Sequence, residues 1–370
     1  MARPTVAEIR LSALRHNFHA LRALLPDRTG VIAVVKANAY GHGALFAART
    51  LEAEGARMLG VATVEEGVEL RRGGIRIPVL VLGGVDSHQA EEAHEHGLSA
   101  VLFHRGQAAD LARASGRTGR PFPVHVKVDT GMGRLGFLPR AARDFLAELR
   151  TFRELRIEGW MTHLSSADGS SPEDRTYTEA QLSSFSEGLP PVREAFPGVV
   201  AHALNSSGIL GFRAEPFDAV RPGLMLYGCS PLPPGEAAIS LRPVMRLVSK
   251  VVSLKDLPDG HPVSYNRRYR CRGTRRIAVV PIGYADGYRR GLTGKGRMSV
   301  AGQPADVAGT VCMDHTMVDV TGIPGASIGS EVEVMGENSM SAEEIARACG
   351  TIPYEVLTQV GPRIPRSIVG

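Results

Sequence analysis

"AVVKANAYGHG", residues 33–43, decides how the chain is read. A β-branched apolar run (Val31, Ile32, Val34, Val35) leads straight into Lys36, then gives way to Asn38, Tyr40 and the triplet Gly41, His42, Gly43. The run reads as a buried strand, and a charged amine at its end costs free energy unless it is paired, solvated or deprotonated. Two readings stand open here: Lys36 snorkels to water from the strand end, or it is a nucleophile.

Working outward, "LSALRHNFHALRALL" places Leu11, Leu14, Phe18, Leu21 and Leu24 at helical spacing and predicts an amphipathic helix before the strand. Beyond it, short apolar runs alternate with helical segments. The strands fall at approximately 31–36, 58–62, 78–82, 99–103, 123–129, 157–163, 199–204 and 218–221. Eight strand–helix units of this length fit a closed (β/α)8 TIM-type barrel, an α/β fold, better than an open doubly wound sheet. After about residue 238 the pattern becomes valine-rich alternation punctuated by Gly, Pro and Asp. Only "SAEEIARACG" reads as helix there, with Ser341 as N-cap and Glu344 placed for a capping box. The expected organisation is a barrel over residues 1–237 and a mostly β C-terminal domain over 238–370, with a first strand at about 4–10 able to pair with that second domain.

A barrel places its chemistry at the C-terminal strand ends. Those ends carry Lys36 with Tyr40, Arg134, His163, Asn205 with Ser206, and Arg221. Individually each has a bland reading: His163 as a satisfied core histidine, Arg221 as a salt-bridged residue before Pro222. The chain holds five lysines, and two of them, Lys36 and Lys127, sit in apolar strand-like runs. In "PVHVKVDTG", strict alternation sets Lys127 on the face opposite Val124, Val126 and Val128.

Composition excludes several classes. No run approaches the roughly 20 apolar residues of a membrane span, and "MARPTVAEIRLS" lacks the apolar centre of a secretory signal, so a cytoplasmic protein is expected. Cys229, Cys271, Cys312 and Cys349 form no metal-type pair, and neither a disulfide framework nor a metal site is expected. The net charge of +5 comes from arginines read as scattered along the chain, which does not support nucleic-acid binding. "GMGRLG" (Gly131, Gly133, Gly136) matches the dinucleotide fingerprint, with Glu158 downstream, but four strand units precede it.

Seven ordered segments carry a resemblance: "AVVKANAYGHG", "KVDTGMGRLG", "THLSSAD", "HALNSSG", "VRPGLMLYG", "PIGYADGY" and "VCMD". Together they resemble the alanine racemase family, pyridoxal 5'-phosphate (PLP) enzymes built from a barrel and a β domain, over about residues 4–366. The resemblance implies interconversion of L- and D-alanine, supplying D-alanine for peptidoglycan. It casts Lys36 as the Schiff-base lysine and the base for the D enantiomer, and Tyr284 as the opposite base for L-alanine. It assigns the cofactor phosphate to Tyr40, Ser206, Tyr354 and the amides of Gly223 and Leu224, with Asn205 beside them. It sets Arg221 against the pyridine nitrogen with His163 as its hydrogen-bonded support. A guanidinium keeps its proton, so the ring remains a weaker electron sink and racemisation is favoured over transamination.

By the same resemblance, Arg134 and the Met313 amide hold the substrate carboxylate, Lys127 supports Arg134 as a carbamate, and Cys312 and Asp314 flank Met313. Tyr284 and this segment are implied to come from a second subunit, hence a homodimer with composite sites. Two positions depart from the family pattern: Asn266 where glycine is expected, and His315 where glutamine is frequent. Three other readings are a racemase for larger amino acids, a non-catalytic PLP carrier, and a nicotinamide dehydrogenase built on the glycine loop.

Overall fold

The computed structural model describes residues 3–169, 171–212, 217–232 and 239–370. The domain boundary expected at residue 237 lies outside the described residues. β1 (Val6–Arg10) precedes the helix Leu11–Arg22, which buries Leu14, Phe18 and Leu21 as its spacing requires. Then follow β2 (Gly30–Val34), β3 (Met58–Val61), β4 (Val79–Val81), β5 (Ser99–Leu102), β6 (Phe122–Lys127), β7 (Leu155–Met161), β8 (Val200–His202) and β9 (Ala219–Val220). These parallel strands close into a barrel in sequence order, sealed by Gly30 against Ala219 and Val31 against Val220. The barrel expectation is met, with every strand ending one or two residues earlier than read and β2, β6 and β7 also beginning one or two residues earlier.

The strands are mostly apolar because helices cover them outside and a plug of side chains fills them inside. Ile32, Met58, Leu80, Val101, Met161 and Ala219 form that inner plug, one from each of six strands. β6 and β8 contribute His125 and His202 to the same interior, beside Val101 and Ala219 in register. The alternation read for β6 holds, with His125 and Lys127 on the inner face and Val124 and Val126 in the core outside it, although both faces are buried at that end.

The C-terminal part is mostly β, as expected. It comprises β10 (Met245–Lys250), β11 (Ser253–Leu257), β12 (Pro262–Val263), β13 (Tyr269–Arg270), β14 (Arg275–Val280), β15 (Arg297–Val300), β16 (Gln303–Asp306), β17 (Thr316–Asp319), β18 (Glu331–Met335) and β19 (Arg366–Val369). The main sheet runs β16-β15-β18-β10-β1-β19, so β1 lies inside it, antiparallel to β10 and parallel to β19. The helix Ala342–Cys349 carries the Ser341/Glu344 capping box. All four cysteines are free, and among the described residues no helix is long and apolar enough to cross a membrane.

Candidate active site

Lys36 is not the last residue of its strand. β2 ends at Val34, and Lys36 opens a turn in which Ala37, Asn38, Ala39 and Tyr40 all have φ between 51 and 54° before Gly41 at 85°. Consecutive L-residues in the left-handed region cost roughly 1–2 kcal/mol each, so the turn persists only because its surroundings hold it. Glu66 is one such hold, its carboxylate accepting the amides of Ala37 at 2.6 Å and Ala62 at 2.7 Å. Asn38 is another, its side-chain oxygen accepting the Ala44 amide at 2.7 Å. The turn lifts Tyr40 back over the barrel mouth, where its ring meets Tyr227 and Tyr354 at centroid distances of 4.9 and 5.8 Å.

The barrel mouth encloses a cavity of about 300 Å³. Lys36, Tyr40, Lys127, Arg134, His163, Asn205, Ser206, Arg221, Gly223 and Tyr354 all line it, with Val34, Ala62, Leu82, Gly83, Leu135 and Met161 completing the wall. Residues read from six separate segments thus converge on one space. Leu224 is fully buried and opens the short 3-10 turn Leu224–Tyr227.

The charges are uneven. Burial and the nearby Arg134 guanidinium lower the Lys36 pKa, against a smaller upward pull from Glu66. Burial, Arg134 and Arg221 bring Lys127 down to about 8, opposed by Asp129. Four cationic side chains therefore share a site with few carboxylates, a field suited to an anionic ligand. Burial raises Tyr40 and pushes Tyr354 up to about 12, which keeps both phenols as donors.

Arg221 is held by its terminal nitrogens. Nη1 donates to His202 Nδ1 (2.7 Å) and His202 O (2.8 Å), and Nη2 to Thr162 O (2.6 Å) and Ala203 O (2.9 Å). His163, expected as its support, stands at a long 3.4 Å from Nη2, so the closer histidine partner is His202. Sequence reading missed it, although "HALNSSG" begins with that residue. The four terminal hydrogens are taken, and among the described residues Nε–H alone has no protein acceptor.

At the other end, Ser206 Oγ accepts the Gly223 amide at 2.9 Å, and a Cβ on Gly223 would fall 2.4 Å from the Tyr40 hydroxyl. Glycine is needed there for close approach. Asn205 lines the cavity while its Oδ1 caps the following helix at Gly208 N (2.9 Å), so it also fixes where Ser206 points.

The glycine loop is not a dinucleotide site. Its amides, from Gly131 to Arg134, turn inward onto the Asp129 carboxylate at 2.7–3.2 Å, and Gly131, Gly133 and Gly136 take positive φ to allow it. The nest is filled by the protein's own anion and serves to aim Arg134.

Tyr284, Cys312, Met313 and Asp314 do not reach the cavity of their own chain. They form one structure on the β domain, where the amides of Tyr284 and Ala285 donate to Cys312 O and Met313 O, both at 3.1 Å. Tyr284 is 42% and Met313 51% exposed, and Asp314 is bound by Arg363 at 2.7 Å. Asn266 stands at φ 60°, a left-handed position that asparagine tolerates best after glycine, which accounts for that departure. His315 is exposed beside Met313. Arg267, Arg268, Arg270, Arg272 and Arg275 gather with Tyr269 around a shallow concavity, a concentration that the reading of scattered arginines overlooked. It shares no residue with the barrel cavity.

Family models for the alanine racemase N-terminal and C-terminal domains match residues 9–231 and 244–368. The chain belongs to the alanine racemase family. It is 43% identical over 370 residues to an alanine racemase of Geobacter sulfurreducens, covering 99% of this chain and 97% of that one. Its structure is similar to an alanine racemase of Clostridium difficile 630 (TM-score 0.91, 34% identity, 100% and 96% of the two chains) and to the biosynthetic alanine racemase of Pseudomonas aeruginosa (TM-score 0.88, 36% identity, 100% of both chains). Membership of this family makes the chain an isomerase, an amino-acid racemase. Alanine racemase sequence thus extends through both barrel and β domain.

Proposed function

We propose that the chain interconverts L- and D-alanine with PLP, by two bases on opposite faces, within a homodimer whose product D-alanine feeds peptidoglycan. One observation carries this reading: a desolvated lysine and an arginine with only Nε–H to offer face the same cavity, with a hydroxyl and amide cradle at its end. The cradle fits a phosphate, because the Ser206, Tyr40 and Tyr354 hydroxyls are donors, the Gly223 amide that here donates to Ser206 Oγ would turn to it, and a Cβ at Gly223 would close it. Leu224 would add its amide, with Asn205 holding Ser206 in place. Bound there, PLP would supply an aldehyde for an amine and a conjugated ring that acidifies Cα.

The protein's own groups do the rest. Burial lowers the Lys36 pKa and so raises its share of neutral amine, the form whose Nζ can attack a carbonyl carbon and take a proton. Arg221 holds its proton at Nε and offers a hydrogen bond without giving the proton up. Arg134, aimed by the Asp129 nest, binds a carboxylate, with the Met313 amide of a second copy as its partner. Tyr284 of that copy serves the face opposite Lys36, while Cys312 and Asp314 hold the segment's shape. The exposed Tyr284 and Met313, unused by their own cavity, support this arrangement.

Lys127 at about 8 has an appreciable neutral fraction near neutrality. Its amine can add carbon dioxide, forming an N–C bond and releasing one proton, to give a carbamate anion among the cations of Arg134, Arg221 and Lys36. Intact mass of the native protein checks it: an unmodified Lys127 removes that part of the proposal.

The deciding experiment follows the Cα proton of L-alanine in D2O with PLP-loaded protein and resolves the enantiomers. Exchange with D-alanine appearing, lost in both directions in Lys36→Ala, supports the proposal. An untouched Cα proton overturns it in favour of a racemase for larger amino acids or a non-catalytic PLP carrier.

A further inference from the structure

The barrel plug is apolar except where β6 and β8 place His125 and His202, and these two rings form a chain that ends on Arg221. His125 Nδ1 lies 2.8 Å from His202 Nε2, and His202 Nδ1 lies 2.7 Å from Arg221 Nη1. Both rings are essentially inaccessible to solvent. Space for His125 is reserved by Gly159 on the adjacent strand, where a Cβ would fall 2.0 Å from His125 Nδ1. His125 Nε2 is buried and has no partner.

One end of the chain dictates the rest. A guanidinium only donates, so His202 Nδ1 accepts and carries no proton. The neutral His202 ring then bears its proton on Nε2 and donates to His125 Nδ1, which leaves the His125 proton on Nε2, the nitrogen without an acceptor. The reverse order would set two donors against each other 2.7 Å apart at Arg221. The unsatisfied donor is thereby placed at the far end of the chain, away from the cavity. Without His125, the buried His202 N–H would be the unpaired group, directly behind Arg221.

We infer that His125 is a positioning residue: through His202 it fixes the proton order and ring orientation that hold Arg221 with Nε–H as its one free donor to the cavity. The importance of that donor rests on the PLP reading above; the proton order does not.

The test uses PLP-loaded protein with 15N-labelled histidine, in the wild type and in His125→Leu and His125→Asn. Long-range 1H–15N spectra of the wild type are expected to show both rings protonated at Nε2, with the His202 proton shifted downfield by its N–H···N bond. His125→Leu is expected to lose that signal and to lower kcat about tenfold, with KM for alanine within about twofold. Asparagine offers Oδ1 near the place of Nδ1, so His125→Asn should restore most of both. A His202 proton on Nδ1 in the wild type overturns the inference, as does a leucine variant that keeps the downfield proton or wild-type kcat. The wild-type spectrum decides the proton order even if the leucine variant does not fold. If the protein takes up no PLP, the function proposal fails while the ring protons still test the chain.

Discussion

Glu66 accepts the amide of Ala37 at 2.6 Å, one residue beyond the lysine at the centre of the proposed chemistry. The same carboxylate is the one group raising the Lys36 pKa against burial and Arg134. Glu66→Ala should therefore act twice. Loss of a charged acceptor for two amides, one exposed and one half-buried, is expected to cost about 1–3 kcal/mol, seen as a lower urea midpoint. The acidic limb of the pH–rate profile, where Lys36 must lose its proton, should move to lower pH. A limb that stays in place would remove Glu66 from the electrostatics of Lys36.

The left-handed turn makes its own prediction. Ala37 is exposed at φ 51°, so Ala37→Gly relieves strain without removing packing and should stabilise the fold by about 1 kcal/mol. Ala37→Val should destabilise it by at least as much. Equal midpoints for glycine and valine would show the turn to be unstrained.

Asp129 collects four amides on one carboxylate and lies five residues before Arg134. Asp129→Ala opens the nest and frees the loop that aims the guanidinium. KM for alanine is expected to rise about tenfold with a smaller change in kcat, because the carboxylate clamp is lost in the ground state as well. An unchanged KM would separate Arg134 from substrate binding.

Composite sites can be tested by mixing. Lys36→Ala and Tyr284→Phe chains, each inactive, should regain about a quarter of wild-type activity when exchanged one to one, since half the dimers are mixed and carry one complete site. No recovery on proven subunit exchange would place both groups in the same chain's site.

Acid should unfold the protein through its buried imidazoles. Burial lowers His42 to about 4 and His125 to about 3, and holds His202 well below its ordinary value. The unfolded chain binds these protons from about pH 6.5 downward and the folded chain does not, so stability falls as pH drops from about 6.5 toward 4. The slope expected is about 1.4 kcal/mol per pH unit for each histidine. His42→Asn should flatten it by one histidine's share in urea titrations at successive pH values.

The barrel was legible because its strands are short, apolar and regularly spaced, and because polar residues gather at one end of them. Lys36, Tyr40, Arg134 and Arg221 stood out as charge or hydroxyl where apolar runs stop. The left-handed turn was not legible, since "KANAY" has no glycine until Gly41 and its geometry is imposed by Glu66, distant in sequence. His202 and His125 were missed for a related reason: a histidine inside an apolar strand is silent until the strand facing it is known. Tyr284 and Met313 were readable only through the resemblance, because nothing in their own chain shows what they face.

The place of β1 between β10 and β19 bears on how the molecule assembles. Ala7 must wait for Arg366 and Leu247, whereas successive barrel strands find their neighbours within a few tens of residues and the closing pair, Gly30 with Ala219, needs only the barrel's own sequence. Pairings of such long sequence separation form late. The barrel can close first, with β1 locking the two halves together last, so the final step of folding joins the domain that carries Lys36 to the one that carries Tyr284.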